Sequence, residues 1–308
     1  MSQRHLVRRA VDAGPADPGP LAPGSSGLGR WAVVDEDGGA VHTGFGVCTL
    51  AAGGRVPSHV HSFEESVYVL EGEVVLETAE AAVLLRPGDY GLVPVGVPHA
   101  LRNDGAAPAR WADMLAPQPR SRFAADTFAV PDLAGRDPVP VDVRDPRTRY
   151  FGSITPAQMD VGGQSQQLLA VSASMRTALL VYSGITVKMM VDSDLGAVLQ
   201  TMFMVQYAPD GVAGAHDHPF EETYLILEGQ VDCELDGTVH RLGPGDVAWA
   251  GAGCVHAFTA VDGSVRWLET QAPAPPPRHS YRFARDWDYL AGRLEPDRAN
   301  NPAAKETR

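Results

Sequence analysis

Short apolar or alternating runs, each closed by Gly, Pro or Asp, follow one another along most of this chain. Residues 31–34, 44–50, 66–70 and 74–78 have the length and side-chain character of strands, and punctuation arrives before a helical period can build. The pattern also repeats. A Pro-Gly-Asp turn at Pro87, Gly88 and Asp89 returns as Pro244, Gly245 and Asp246, and the glycine turn at Gly72 returns at Gly229. Residues 110–115 are answered by 266–270, each just before an Ala-Pro that ends a domain. A turn is expected at residues 191–194 between strands, and only residues 284–290 suggest a helix. Many short strands with regular turns predict an all-β protein made of barrels or double-sheet jelly rolls.

The same punctuation divides the chain. Residues 1–28, rich in Gly, Pro, Ala and Ser, are expected to be disordered. A first barrel is expected over 29–117 and a connection dense in Asp, Pro and Arg over 118–149. A second barrel should occupy 150–292, with a disordered tail over 293–308.

Candidate chemistry repeats with the strands. His59, His61, Glu65, Gly72, Gly88 and His99 each have a counterpart 157 positions later, in His216, His218, Glu222, Gly229, Gly245 and His256 (216 − 59 and 256 − 99, for instance). Six matched positions point to duplication of a whole domain. Side chains alternate faces along a strand, so His59 and His61 face the same way. Glu65 follows a short break that lets its carboxylate turn to the same centre, and His99 must return on a later strand. Three imidazoles and one carboxylate suit a divalent transition metal, iron or manganese ahead of cobalt, nickel or zinc. The set contains no thiolate, which argues against a closed structural zinc site. Six of the ten histidines fall in the two patterns; His5, His42, His240 and His279 read as surface or loop residues.

These motifs resemble the cupin superfamily, and most closely its two-domain members, the bicupins. Gly53 to Gly72 follows the family's first motif and Gly88 to Asn103 its second. The second half is looser, with Gly251 where proline is usual and Ala260 where asparagine is usual. The resemblance implies two tandem cupin barrels (double-stranded β-helix or jelly-roll), each with a metal in its mouth held by His59, His61, Glu65 and His99, and by His216, His218, Glu222 and His256. It implies a metal-dependent enzyme, first a dioxygenase acting on a small enol, catechol or carboxylate bound to the metal. A decarboxylase, isomerase, lyase or aminohydrolase would use the same ligands, and a non-catalytic small-molecule-binding cupin is the third class. Glu64 and Glu221 are weak candidates for a general base, since alternation turns them from the ligand carboxylates. Tyr68 and Tyr224 are expected to pack outside the site, and Phe63 and Phe220 to act as wedges beside it.

Composition narrows the partners. An apolar content of 44% with few charges in long runs indicates a globular chain, and no stretch approaches a membrane span. A net charge of −13 disfavours nucleic acid and anionic membranes. Cys48, Cys233 and Cys254 are an odd number at unrelated spacings, read as reduced thiols in a cytoplasmic protein. A small-molecule substrate is expected, and exposed barrel edges make a homodimer a reasonable expectation.

Overall fold

A computed structural model of the protein describes residues 4–159 and 184–275. The helix expected at 284–290 and the tail from 293 lie outside the described residues. Within them the fold is almost entirely β, organised as two sheets that each curl into a barrel. The N-terminal sheet is centred on the long strand Gly44–His61, which pairs with Ser26–Val34, His99–Arg102 and Ala109–Ala116. The C-terminal sheet is centred on His256–Ala272, which pairs with Thr201–Tyr207, Val212–His216 and Glu221–Leu235.

Strand alternation produces three cores. Along Ala109–Ala116, Trp111 faces the N-terminal barrel interior, while Ala112, Met114 and Ala116 face outward. Along Thr201–Tyr207, Phe203, Val205 and Tyr207 fill the C-terminal interior, and Met202 and Met204 face outward. The two outward faces meet in a third buried cluster that contains Phe45, Leu92 and Met114 from one barrel and Met204, Trp249 and Leu268 from the other. Burial on both faces explains why these strands read as near-continuous apolar runs.

The ends of the chain depart from expectation. Residues 4–28 are not a disordered leader: His5–Arg8 pairs with Val247–Ala250 of the C-terminal sheet, and Gly19–Leu21 forms a 3-10 turn. Residues 118–149 are likewise part of the N-terminal barrel, with Thr127–Ala129 against Gly44–His61 and Pro138–Pro140 against Ala82–Leu85. Phe151–Ser153, expected in the second barrel, pairs with Asp89–Val93 of the first. The segment that precedes each barrel thus crosses to the other barrel's sheet and covers an edge that would otherwise offer unpaired backbone groups.

A second reciprocal contact ties the halves. Glu64 accepts hydrogen bonds from the backbone N–H of Val198 and Leu199 at 2.8 and 3.0 Å. Glu221 accepts from the N–H of Val41, His42 and Thr43 at 2.8, 3.1 and 3.0 Å. Both pairs obey the 157-residue repeat (221 − 64 and 198 − 41). Alternation turns these carboxylates from their own barrels, so they anchor the partner barrel's loop and do not serve as general bases. Replacing Glu221 by Ala would orphan three N–H groups; a loss of about 2–4 kcal/mol in chemical denaturation is expected, and less for Glu221→Gln. Unchanged stability of Glu221→Ala would show that the contact is incidental.

Candidate metal centres

His59 lies near the end of Gly44–His61, directly opposite His99, whose strand returns antiparallel. Glu65 stands on Glu64–Glu71, opposite Leu115 and Val93, and its side chain enters the same barrel. The three imidazole rings gather with centroids 4.7, 4.2 and 4.9 Å apart. Nε2 of both His61 and His99 lies 3.3 Å from Glu65 Oε2. Phe63 stacks on His61 at 4.1 Å and fixes its plane. All four expected residues are therefore brought together and buried.

The outer ring nitrogens settle the tautomers. His59 Nδ1 lies 2.7 Å from the Pro57 carbonyl and His99 Nδ1 3.0 Å from the Val97 carbonyl. A carbonyl can only accept, so each Nδ1 carries the proton. His61 Nδ1 lies 2.9 Å from Thr127 Oγ1, whose own hydroxyl donates to the Ala125 carbonyl, so His61 Nδ1 also donates. In the neutral rings every Nε2 then presents a lone pair to the centre. Desolvation and the neighbouring imidazoles push His59 down to about 3, and desolvation lowers His61 too. Burial alone would raise Glu65, whereas protonation of His61 and His99 at Nε2, 3.3 Å away, would hold it well below the ordinary carboxylate range. Lone pairs and a carboxylate facing one another in a buried space, with His99 Nε2 lacking a hydrogen-bond partner among the described residues, are the donor set of a divalent cation site.

The C-terminal centre repeats the scheme with a difference. His216 Nδ1 donates to Gly214, His256 Nδ1 to Cys254 and His218 Nδ1 to Phe220, at 2.7, 2.9 and 2.9 Å. Phe220 stacks on His218 at 3.9 Å. His216 stands off from His218, with centroids 6.2 Å apart against 4.7 Å for the matching N-terminal pair. His218 Nε2 approaches Glu222 Oε2 to 2.8 Å, and although desolvation lowers its pKa, the Glu222 charge and hydrogen bond raise it overall. Glu222 is also held by Gln271 Nε2 at 2.5 Å and by the Tyr224 hydroxyl. Contrary to the expectation for it, Tyr224 is buried inside the barrel, two residues along the same strand face. In the first barrel Val67 and Leu115 occupy the corresponding register, so Glu65 has no such donors. The alternation of Glu222 and Tyr224 could have revealed this; Gln271 is placed only by strand pairing.

The family assignment rests on these two centres and on comparison with known proteins. The Cupin domain family matches residues 46–115 and 203–270, one copy in each barrel. The chain is a two-domain cupin. Comparison by sequence with curated proteins gives no match. Among solved structures, the Ylba protein of E. coli is similar with 14% identity, 91% of this chain and 95% of that chain covered and a TM-score of 0.60. A protein from Pseudomonas aeruginosa described as glyoxylate-induced shares 16% identity over 91% of this chain and 93% of its own, with a TM-score of 0.57. Salicylate 1,2-dioxygenase from Pseudaminobacter salicylatoxidans shares 18% identity over 75% of this bicupin and 71% of that chain, with a TM-score of 0.56. At such identities the likeness is one of fold. No helix among the described residues is long and apolar enough to cross a membrane.

Two outcomes test the centres. Elemental analysis should find His59→Ala and Glu65→Ala deprived of one metal equivalent, and His216→Ala deprived of the other; full metal content in the variants would remove the ligand assignment. Acid should also destabilise the metal-free protein. His59 and His216, lowered to about 3 and about 4 chiefly by desolvation, stay neutral when folded, yet protonate near 6.5 when unfolded. The unfolded state therefore binds more protons below pH 6.5, and stability should fall from there towards pH 4, partly offset by His218. Urea midpoints that stay level between pH 7 and 4.5 would contradict this, and His59→Phe should flatten the fall.

Proposed function

We propose that this bicupin is a metal-dependent enzyme whose working site is the N-terminal centre, and that its chemistry is oxygenation of a small organic substrate. The observation that carries the reading is the set of three neutral Nε2 donors and the Glu65 carboxylate around one buried point, beside a cavity. That cavity is lined by His59, His61 and Glu65, by apolar residues such as Val56 and Leu101, and by Pro18 and Leu21 from the N-terminal segment. A divalent transition metal held by His59, His61, Glu65 and His99 would supply Lewis acidity and, if redox-active, a route to dioxygen. Four protein donors leave room for further ligands on a six-coordinate ion, and iron and manganese match the nitrogen and oxygen set best.

The chain's own residues do the rest. Pro57, Val97 and Thr127 hold the imidazoles in the tautomer that offers Nε2 inward, and Phe63 keeps the His61 ring from turning. The apolar side chains that line the cavity disfavour water beside the substrate, which strengthens the polar contacts it makes there. The C-terminal centre, whose carboxylate is already held by Tyr224 and Gln271, is assigned a supporting metal-binding role. Fold likeness to salicylate 1,2-dioxygenase, a protein also solved in complex with gentisate, makes hydroxylated aromatic acids the first substrates to try.

Turnover should consume dioxygen in an oxygen-electrode assay without added reductant, stop under nitrogen and return on aeration. His99→Ala should lower it by at least about a hundredfold, with His256→Ala much less affected. Equal turnover under nitrogen would transfer the site to non-oxidative chemistry such as decarboxylation, isomerisation or hydrolysis.

A further inference from the structure

The cavity beside the N-terminal centre is lined by two charged groups outside the expected ligand set, Arg30 and Asp113. Arg30, on Ser26–Val34, is only 8% exposed, and its guanidinium lies across Gly46. A Cβ at position 46 would sit 2.6 Å from Arg30 Cζ, so glycine there makes room for the guanidinium. Arg30 Nε and Nη2 each donate to Asp113, both at 2.6 Å, and Cys48 Sγ donates to the same carboxylate at 3.3 Å. These bonds occupy one edge of the guanidinium. Nη1 makes no hydrogen bond among the described residues, and Arg30 lines the same cavity as His59, His61 and Glu65.

Packing does not account for this arrangement. A buried ion pair costs more in desolvation than an apolar pair of similar size, so the charges are a poor way to fill a barrel. The C-terminal barrel supplies the comparison. Register places Val187 where Arg30 stands, Val205 where Cys48 stands and Phe203 where Gly46 stands. That barrel has apolar side chains at these three positions, and Glu269, at the register of Asp113, accepts a hydrogen bond from the indole of Trp267 instead of from an arginine. The N-terminal barrel keeps an arginine fork with donors to spare, bonded to Asp113, which lies two residues along its strand from Leu115, the residue that pairs with Glu65.

We propose that Arg30, held in place by Asp113, receives the carboxylate of a small organic acid whose other end reaches the N-terminal histidine centre. The inference rests on the metal-enzyme reading for that second end alone. The planar fork suits a two-oxygen anion. The Arg30–Asp113 pair is neutral as a whole and Glu65 adds negative charge nearby, so a monoanionic carboxylate is favoured over a phosphate. The C-terminal barrel, with Val187 and Phe203, takes no such acid.

Calorimetric titration of benzoate into the full-length, cobalt-loaded protein tests this, with cobalt content measured on the same samples. Wild type should bind one benzoate per chain and bind both benzamide and inorganic phosphate at least about tenfold more weakly. Arg30→Met alone would strand Asp113, so the double variant Arg30→Met/Asp113→Leu removes both charges together. Gly46→Ala displaces the guanidinium while keeping every charge. Each should weaken benzoate at least about tenfold at unchanged cobalt content. The proposal is overturned by a wild type that gives no benzoate heat, by variants that bind as wild type does, or by phosphate that binds as tightly as benzoate. Arg30-dependent benzoate binding in protein that takes up no cobalt would retain the proposal and remove the metal reading. Loaded protein that binds benzoate but consumes no dioxygen would remove only the oxygenase.

Discussion

The most demanding feature of the molecule is a set of lone pairs aimed at one another inside a protein barrel. Neutral imidazoles and a carboxylate that share a buried point repel unless something positive lies between them. The arrangement persists because each ring is held from behind. Four of the six histidines, His59, His99, His216 and His256, donate through Nδ1 to the carbonyl two residues earlier, a contact local to the strand end. A ring fixed this way offers only Nε2, and the pleat decides that Nε2 points inward. Barrel closure, strand crossing and the apolar shell all serve to keep that geometry while water is kept out.

Duplication has left two barrels with the same frame and different interiors. In the N-terminal barrel Glu65 is flanked by Val67 and Leu115 and, among the described residues, receives no hydroxyl or amide donor, so its charge is available to an ion. In the C-terminal barrel Tyr224 and Gln271 already satisfy Glu222, and His218 approaches it closely enough to form an ion pair when protonated. The second carboxylate is satisfied by side chains of its own barrel to a degree that the first is not. The same contrast extends outward, where the first interior keeps Arg30 and Asp113 and the second has Val187, with the indole of Trp267 bonded to Glu269.

The barrels also depend on each other. Glu64 and Glu221 sit next to the inward-facing Glu65 and Glu222 in sequence, yet they reach across to backbone N–H groups of the opposite half. One residue of a strand thus serves the centre and the next serves the interface, a direct result of two-residue alternation. A shift of register in either strand would lose both at once.

The fold class was legible in the sequence, as were the repeated motifs that supply the eight candidate ligands, of which the structure gathers His59, His61 and His99 in one barrel and His218, Glu222 and His256 in the other. They depend on local rules: punctuation sets strand ends, alternation sets faces, and a 157-residue repeat marks equivalent positions. Gly72 and Gly229 were legible for the same reason, since both take positive φ and a Cβ at either would collide with the backbone of the adjacent turn. What the sequence could not disclose is everything set by pairing between distant segments. The Pro-rich start looked disordered because it has no apolar period of its own, and its order comes from pairing with Val247–Ala250 some 240 residues away (247 − 8 = 239). Arg30 and Asp113 lie 83 positions apart with no local signal that joins them, and only the sheet places them on neighbouring inward faces. Tyr224 and Gln271 became partners of Glu222 by the same means. Local chemistry determined which residues could bind a metal; only tertiary pairing decided what surrounds each centre, because a strand's neighbours follow from the sheet's register and not from the strand's own sequence.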